Sequence, residues 1–169
     1  MIMASPKVAI VMGSDSDFDK LKGCIKMLKK FEIEVDVNVI SAHRTPEAAE
    51  KFAKSAEENG IEIIIAAAGK AAHLGGVLAA FTTLPVIGVP IKSSTMDGMD
   101  SLLSMVQMPK GIPVATVAID GGDNAGILAA QMLSLKYDYI KDMLKEFKKD
   151  MADEVAEKNL KVKQEAANL

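Results

Sequence analysis

Five short apolar runs, each divided from the next by a stretch with helical spacing, limit what this chain can fold into. They fall at 7–13 (KVAIVMG), 35–39, 61–68, 85–91 and 114–119. The first, third, fourth and fifth are nearly continuous in apolar residues, as strands buried on both faces must be, whereas Val35, Val37 and Val39 alternate as in a half-buried strand. After Phe18, the residues Leu21, Cys24, Ile25, Leu28 and Phe31 recur at helical spacing. Thr45 and Pro46 supply an N-cap and a first-turn proline for a helix through Ala48, Phe52 and Ala56, which Asn59-Gly60 stops. Helices are also expected over 71–83 and 97–108 and from Asn124 onward. Strands alternating with helices require a parallel sheet covered on both faces. Right-handed crossovers then reduce the topology to a doubly wound α/β sandwich, for which analogy gives the strand order 2-1-3-4-5.

A chain of 169 residues supports one domain with a full core, taken here as 1–162 and including a C-terminal helix. That helix, over about 136–162, carries Ile140, Met143, Leu144, Phe147, Met151 and Val155 at helical spacing. The stripe either packs back on its own subunit or crosses onto a neighbour, and its length favours the neighbour. Residues 163–169 read as a frayed tail. A net charge of −3 and a pI near 5.4 argue against a nucleic-acid surface. No run approaches the ~18 apolar residues of a membrane span, and the start lacks a basic segment leading into a long apolar one. Cys24 has no partner for an internal disulfide and lies on the apolar face of its helix, where a buried small hydrophobe is expected. These features fit a cytoplasmic protein.

Charge usage points to the chemistry. The chain has nineteen lysines but one arginine, Arg44, beside one of only two histidines, His43. A planar five-donor fork suits bidentate contact with phosphate or carboxylate, and a neighbouring imidazole suits proton transfer near neutral pH. In an open parallel sheet, ligands bind beyond the carboxyl ends of the strands. There the loop 13–17 (GSDSD), the loop 41–45 (SAHRT) and the loop 69–76 (GKAAHLGG) converge. Gly13-Ser14 at a helix start can cradle a phosphate, although Ser14 and Ser16 also serve as plain N-caps. Asp17 would repel a phosphate and suits ribose hydroxyls instead. Small residues at Gly69, Ala71 and Ala72 leave room for a ligand, or simply pack tightly. His73 ranks behind His43, because a histidine in such a setting is more often structural. No cluster of ligating residues has metal spacing.

Four segments in order, VMGSDSD (11–17), SAHRTP (41–46), AAHL (71–74) and QMPKGIPV (107–114), together resemble the N5-carboxyaminoimidazole ribonucleotide mutase family. This is the bacterial-type, class I catalytic subunit family of phosphoribosylaminoimidazole carboxylases, and the resemblance covers about 7–150. It implies a flavodoxin-like three-layer fold, a homo-octamer with sites at subunit junctions, and no metal or organic cofactor. The implied reaction, in purine biosynthesis, moves a carboxylate from the exocyclic nitrogen of an aminoimidazole ribonucleotide to ring carbon C4. His43 matches the catalytic histidine, and Ser14, Asp17 and Arg44 match substrate-binding positions. Ser16, Ser41, Gly69, Lys70, Ala71 and Ala72 complete the expected binding set, with His73 in support. Two departures fall in the third loop, where Lys70 stands for a usual glycine and Gly75 for a usual proline. Lys70 is expected to extend its ammonium to the pocket rim, where it adds attraction for the carboxylate. The alternatives are a direct CO2-dependent carboxylase of aminoimidazole ribonucleotide, a flavodoxin-type electron carrier and a non-catalytic nucleotide-binding module. The absence of tryptophan and the placement of both tyrosines in the C-terminal helix disfavour the electron carrier.

Overall fold

The computed structural model describes residues 5–169, which fall into two compact units, one ending at Ala130 and one spanning Gln131–Leu169. The first unit is built on a five-stranded parallel sheet of β1 (Lys7–Met12), β2 (Glu34–Val39), β3 (Ile61–Gly69), β4 (Val86–Ile91) and β5 (Ala115–Thr116). Its order is β2-β1-β3-β4-β5, the doubly wound flavodoxin-like arrangement expected. Helices α1 (Phe18–Lys30), α2 (Pro46–Ser55), α3 (Leu74–Phe81), α4 (Met99–Val106) and α5 (Gly122–Leu133) follow the strands in turn.

The apolar runs of β1, β3 and β4 become strands buried on both faces. Ala9 and Val11 of β1 and Ile64, Ala66 and Ala68 of β3 pack with Ala49 and Ala53 of α2, Leu74 and Leu78 of α3 and Met105 of α4. Burying a side chain the size of Leu78 contributes about 1.5–3 kcal/mol. Because successive strand side chains point to opposite faces, Val8, Ile10 and Met12, also buried, serve the other layer. There α5 crosses α1 backbone to backbone: a Cβ on Gly122 would lie 2.9 Å from the Lys20 carbonyl oxygen, and one on Gly126 3.0 Å from that of Cys24.

Helix ends follow from local chemistry. Asn59-Gly60 stops the α2 segment as expected: Gly60, at φ +77°, lets the Gly60 amide reach the Glu57 carbonyl and the Ile61 amide the Ala56 carbonyl. Thr45 does precede α2, but its hydroxyl does not cap the helix. It donates to the Ser41 carbonyl at 2.9 Å and accepts from the Ser41 amide at 3.1 Å, tying the loop instead.

Several boundaries differ from the sequence reading. Helix α3 starts at Leu74 rather than 71, because Lys70 takes a left-handed conformation and breaks the turn before it. Strand β5 keeps only two paired residues, not six. Beyond Thr116, the Val117 amide bonds to Gly88 and the Asp120 amide to Pro90, and the chain turns at Asp120. Val37 and Val39 on the edge strand are 40% and 57% exposed, so their face is open rather than half-buried.

In the second unit, α6 (Asp138–Ala167) is one unbroken helix of 30 residues. Residues 163–167, read as a frayed tail, therefore belong to it. Ile140 is buried and Met143, Leu144 and Phe147 are half-buried, whereas Met151, Val155, Leu160 and Val162 are exposed. Among the described residues no helix is long and apolar enough to cross a membrane.

Candidate active site

The ends of β1, β2, β3 and β4 open into one cavity of about 600 Å³, a size that fits a nucleotide-sized ligand. At the end of β1, Gly13 donates its amide to the Ala67 carbonyl at 3.0 Å. Ser14 then caps a 3-10 turn over Asp15–Asp17 that leads into α1, its Oγ accepting from the Ser16 amide at 3.3 Å and from the Ser16 hydroxyl at 2.8 Å. Two hydroxyls and the start of a helical segment thus meet at the cavity wall, an arrangement that can receive an anion.

Asp17 is buried to 9% exposure. Burial pushes its carboxyl above the usual range, and the charges of Asp120 and Asp15 add to this against hydrogen bonds from Ser16 and the Ser14 backbone. A carboxylate so placed gains from ligand hydroxyls that would satisfy it. Nearby, Asp120 behaves oppositely. Partial burial pushes its carboxyl up, but bonds from Lys20 Nζ at 2.7 Å and the Lys92 amide at 2.9 Å, with both lysine charges, outweigh burial and hold it below the usual range.

The second loop is knitted around Ser41. Its Oγ accepts from the Arg44 amide at 3.2 Å and from Arg44 Nε at 3.3 Å, while Arg44 Nη2 donates to the Gly13 carbonyl at 3.0 Å. The guanidinium is thereby laid beside the β1 turn, next to the Ser14–Ser16 hydroxyls.

From the third loop, His73 Nδ1 comes within 2.8 Å of His43 Nε2, with the rings nearly perpendicular at 82°. A single proton occupies that bond, so doubly protonated rings would set two donors against each other. One imidazole controls the tautomer of the other. His73, ranked second from sequence, is therefore the direct partner of His43. Lys70 also lines the cavity, at φ +57°, a conformation that costs a non-glycine residue on the order of 1 kcal/mol.

Of the residues expected from sequence, Ser14, Ser16, Asp17, Ser41, His43, Arg44, Gly69, Lys70, Ala71 and His73 all line the cavity. Ala72 does not, because its methyl is 1% exposed and packs in the core. Gly75 is also buried away from the cavity, where an added Cβ would meet Val114, Ala66 and Met105 at 3.6–3.8 Å. The sequence reading missed Lys92 and Ser93 at the end of β4, which complete the wall. The rule that located the other three loops applies there equally. No group of three or more His, Cys, Asp and Glu among the described residues could hold a metal ion.

The family model for AIR carboxylase matches residues 7–154. The chain belongs to the AIR carboxylase family. Among relatives of this AIR carboxylase family member, an N5-carboxyaminoimidazole ribonucleotide mutase of Pyrococcus abyssi is 61% identical over 146 residues, covering 86% of this chain and 84% of that protein. One from Thermotoga maritima is 54% identical over 159 residues, covering 94% and 93%. A crystal structure of Treponema denticola PurE superposes with a TM-score of 0.86 at 32% identity, covering 94% of this chain and 99% of that one. A phosphoribosylaminoimidazole carboxylase of Candida glabrata is 53% identical across 93% of this chain, but that match spans only 28% of the longer protein.

Proposed function

We propose that the chain is an isomerase of purine biosynthesis that converts N5-carboxyaminoimidazole ribonucleotide to 4-carboxyaminoimidazole ribonucleotide. Relatives that align along nearly their whole length carry the mutase name. The observation that carries the chemistry is the His43–His73 hydrogen bond of 2.8 Å in a cavity that Arg44, Ser14 and Ser16 also line. It combines an anion cradle with a proton-transfer pair.

In this reading the nucleotide phosphate lies at the Ser14–Ser16 turn against Arg44, and Asp17 accepts from the ribose hydroxyls. Cleavage of the carbamate N–C bond returns its electron pair to the exocyclic nitrogen as CO2 departs, and that nitrogen takes a proton. The enriched C4 then attacks CO2, forming the new C–C bond, and loss of the C4 proton restores the aromatic ring. One proton enters and one leaves, so a single imidazole can serve both steps. His43 is that group, and His73 holds its tautomer. The small walls at Gly69 and Ala71 keep CO2 beside C4 and away from water.

Assembly as an octamer in the cytoplasm accompanies this reading. The exposed apolar residues of α6 and of the β2 edge support burial against other copies.

An assay comparing the carbamate nucleotide with aminoimidazole ribonucleotide plus bicarbonate separates the mutase from a direct carboxylase. Faster turnover of the carbamate, with little label entering from bicarbonate, is expected; the reverse preference would overturn the assignment. His43→Asn should lower kcat by 10²-fold or more, about 2.7 kcal/mol, while nucleotide affinity stays within threefold. Retention of a tenth of the activity would remove His43 from the acid/base role.

A further inference from the structure

We propose that Lys70 grips the migrating carboxylate and so makes the site prefer carboxylated nucleotides over the bare aminoimidazole. The inference rests on the mutase reading and assigns a partner to the substrate's second anionic group. That substrate carries two anions, a phosphate at one end and a carboxylate at the reacting end. Three cationic side chains besides the histidines line the cavity, Arg44, Lys70 and Lys92. Arg44 is drawn to the β1 turn by its bonds to Gly13 and Ser41, which places it at the phosphate end. Lys92 Nζ is paired with Asp97 at 3.2 Å. The Lys70 side chain makes no hydrogen bond or ion pair with another described residue and is exposed, so its ammonium is the cation left for the second anion.

Position and backbone agree with this assignment. Lys70 lies on the same β3–α3 loop as His73, three residues before the imidazole that meets His43. It therefore belongs to the reacting end of the cavity. Its φ of +57° is one that glycine adopts freely and lysine does not. A side chain kept at a strained position in a cavity wall points to a task for that side chain rather than for the backbone. An ammonium on a flexible stem can follow a carboxylate moving from nitrogen to C4, since it attracts as a point charge rather than in one fixed plane.

The test measures affinity for two stable nucleotides, 4-carboxyaminoimidazole ribonucleotide and aminoimidazole ribonucleotide, by calorimetry with wild type, Lys70→Gln, Lys70→Gly and Lys70→Arg. Glutamine removes charge at similar length, glycine also relaxes the backbone, and arginine restores charge. Loss of affinity for the carboxylated nucleotide by three- to tenfold is expected in the glutamine and glycine variants. The bare nucleotide should change by less than twofold, and arginine should recover most of the loss. Equal losses for both nucleotides would show that Lys70 reads the phosphate or shapes the pocket, and no loss for either would remove it from recognition; both results overturn the proposal. Because binding is read without turnover, failure of the mutase reading appears separately, as a wild-type enzyme that does not convert the carbamate.

Discussion

Replacing Arg44 by lysine keeps the charge and removes the fork, and the structure says what that change should cost. Two of the five guanidinium donors are already used, Nε on Ser41 Oγ at 3.3 Å and Nη2 on the Gly13 carbonyl at 3.0 Å. These bonds fix the plane of the group beside the Ser14–Ser16 turn before any ligand arrives, and three N–H donors stay free for phosphate oxygens. A lysine ammonium at this site loses the anchoring, reaches the phosphate through one contact rather than two, and must order a flexible stem. One charge-assisted bond contributes about 1.5–3 kcal/mol. Allowing for partial recovery by the retained charge, the net loss is about 1–3 kcal/mol, or roughly 5- to 150-fold in Kd. Calorimetric titration with the product ribonucleotide and with its phosphate-free nucleoside checks the assignment. The ribonucleotide should lose this factor, and the nucleoside less than twofold. If the nucleoside weakened as much as the ribonucleotide, Arg44 would not be the phosphate clamp.

Asp17→Asn should stabilise the ligand-free protein while weakening nucleotide binding. Burial raises the folded-state pKa of this carboxyl, so folding favours its protonated form and stability declines as pH rises from the ordinary carboxylate range through the raised value. At pH 7 the neutral amide should add about 0.5–2 kcal/mol; a lower melting temperature at pH 7 would contradict this. The second unit gives the other expectation. Truncation near Lys136 should yield smaller or aggregating species than the intact chain, and light scattering that finds the intact chain a stable monomer at micromolar concentration would refute a role for α6 in assembly.

What the sequence disclosed depended on how local the governing physics is. The continuous runs of β1, β3 and β4 reveal buried strands because both faces must be apolar, and the loops at their carboxyl ends follow from topology alone. Arg44 and His43 stood out through rarity beside nineteen lysines. Their geometry was not legible, since the His43–His73 contact joins residues thirty positions apart and depends on how two loops settle over the sheet. Ala72, which packs in the core, is illegible for a similar reason. In a run of small residues nothing in composition says which methyl faces the cavity, and the left-handed turn at Lys70 decides it. Val37 and Val39 alternate correctly as a strand, yet alternation alone does not name what covers the apolar face. The end of α6 is not legible because 163–167 (KQEAA) holds no large apolar residue to continue the periodic signal.

The crossing of α1 over α5 leaves the chain with a built-in chemical clock. Cys24, its only cysteine, is fully buried in α1, and burial, with the charge of Asp123 behind it, pushes the thiol up to about 12. At neutral pH the native thiol is thus doubly shielded, by lack of access and by a thiolate population on the order of a thousandfold below that of a free cysteine. A thiol reagent will therefore react almost solely with molecules in which α1 has lifted, and its rate will report the free energy of that opening. The helix that guards the sulfur begins at the Ser14–Asp17 turn, so nucleotide bound there should slow the clock by the same factor by which it holds the helix down.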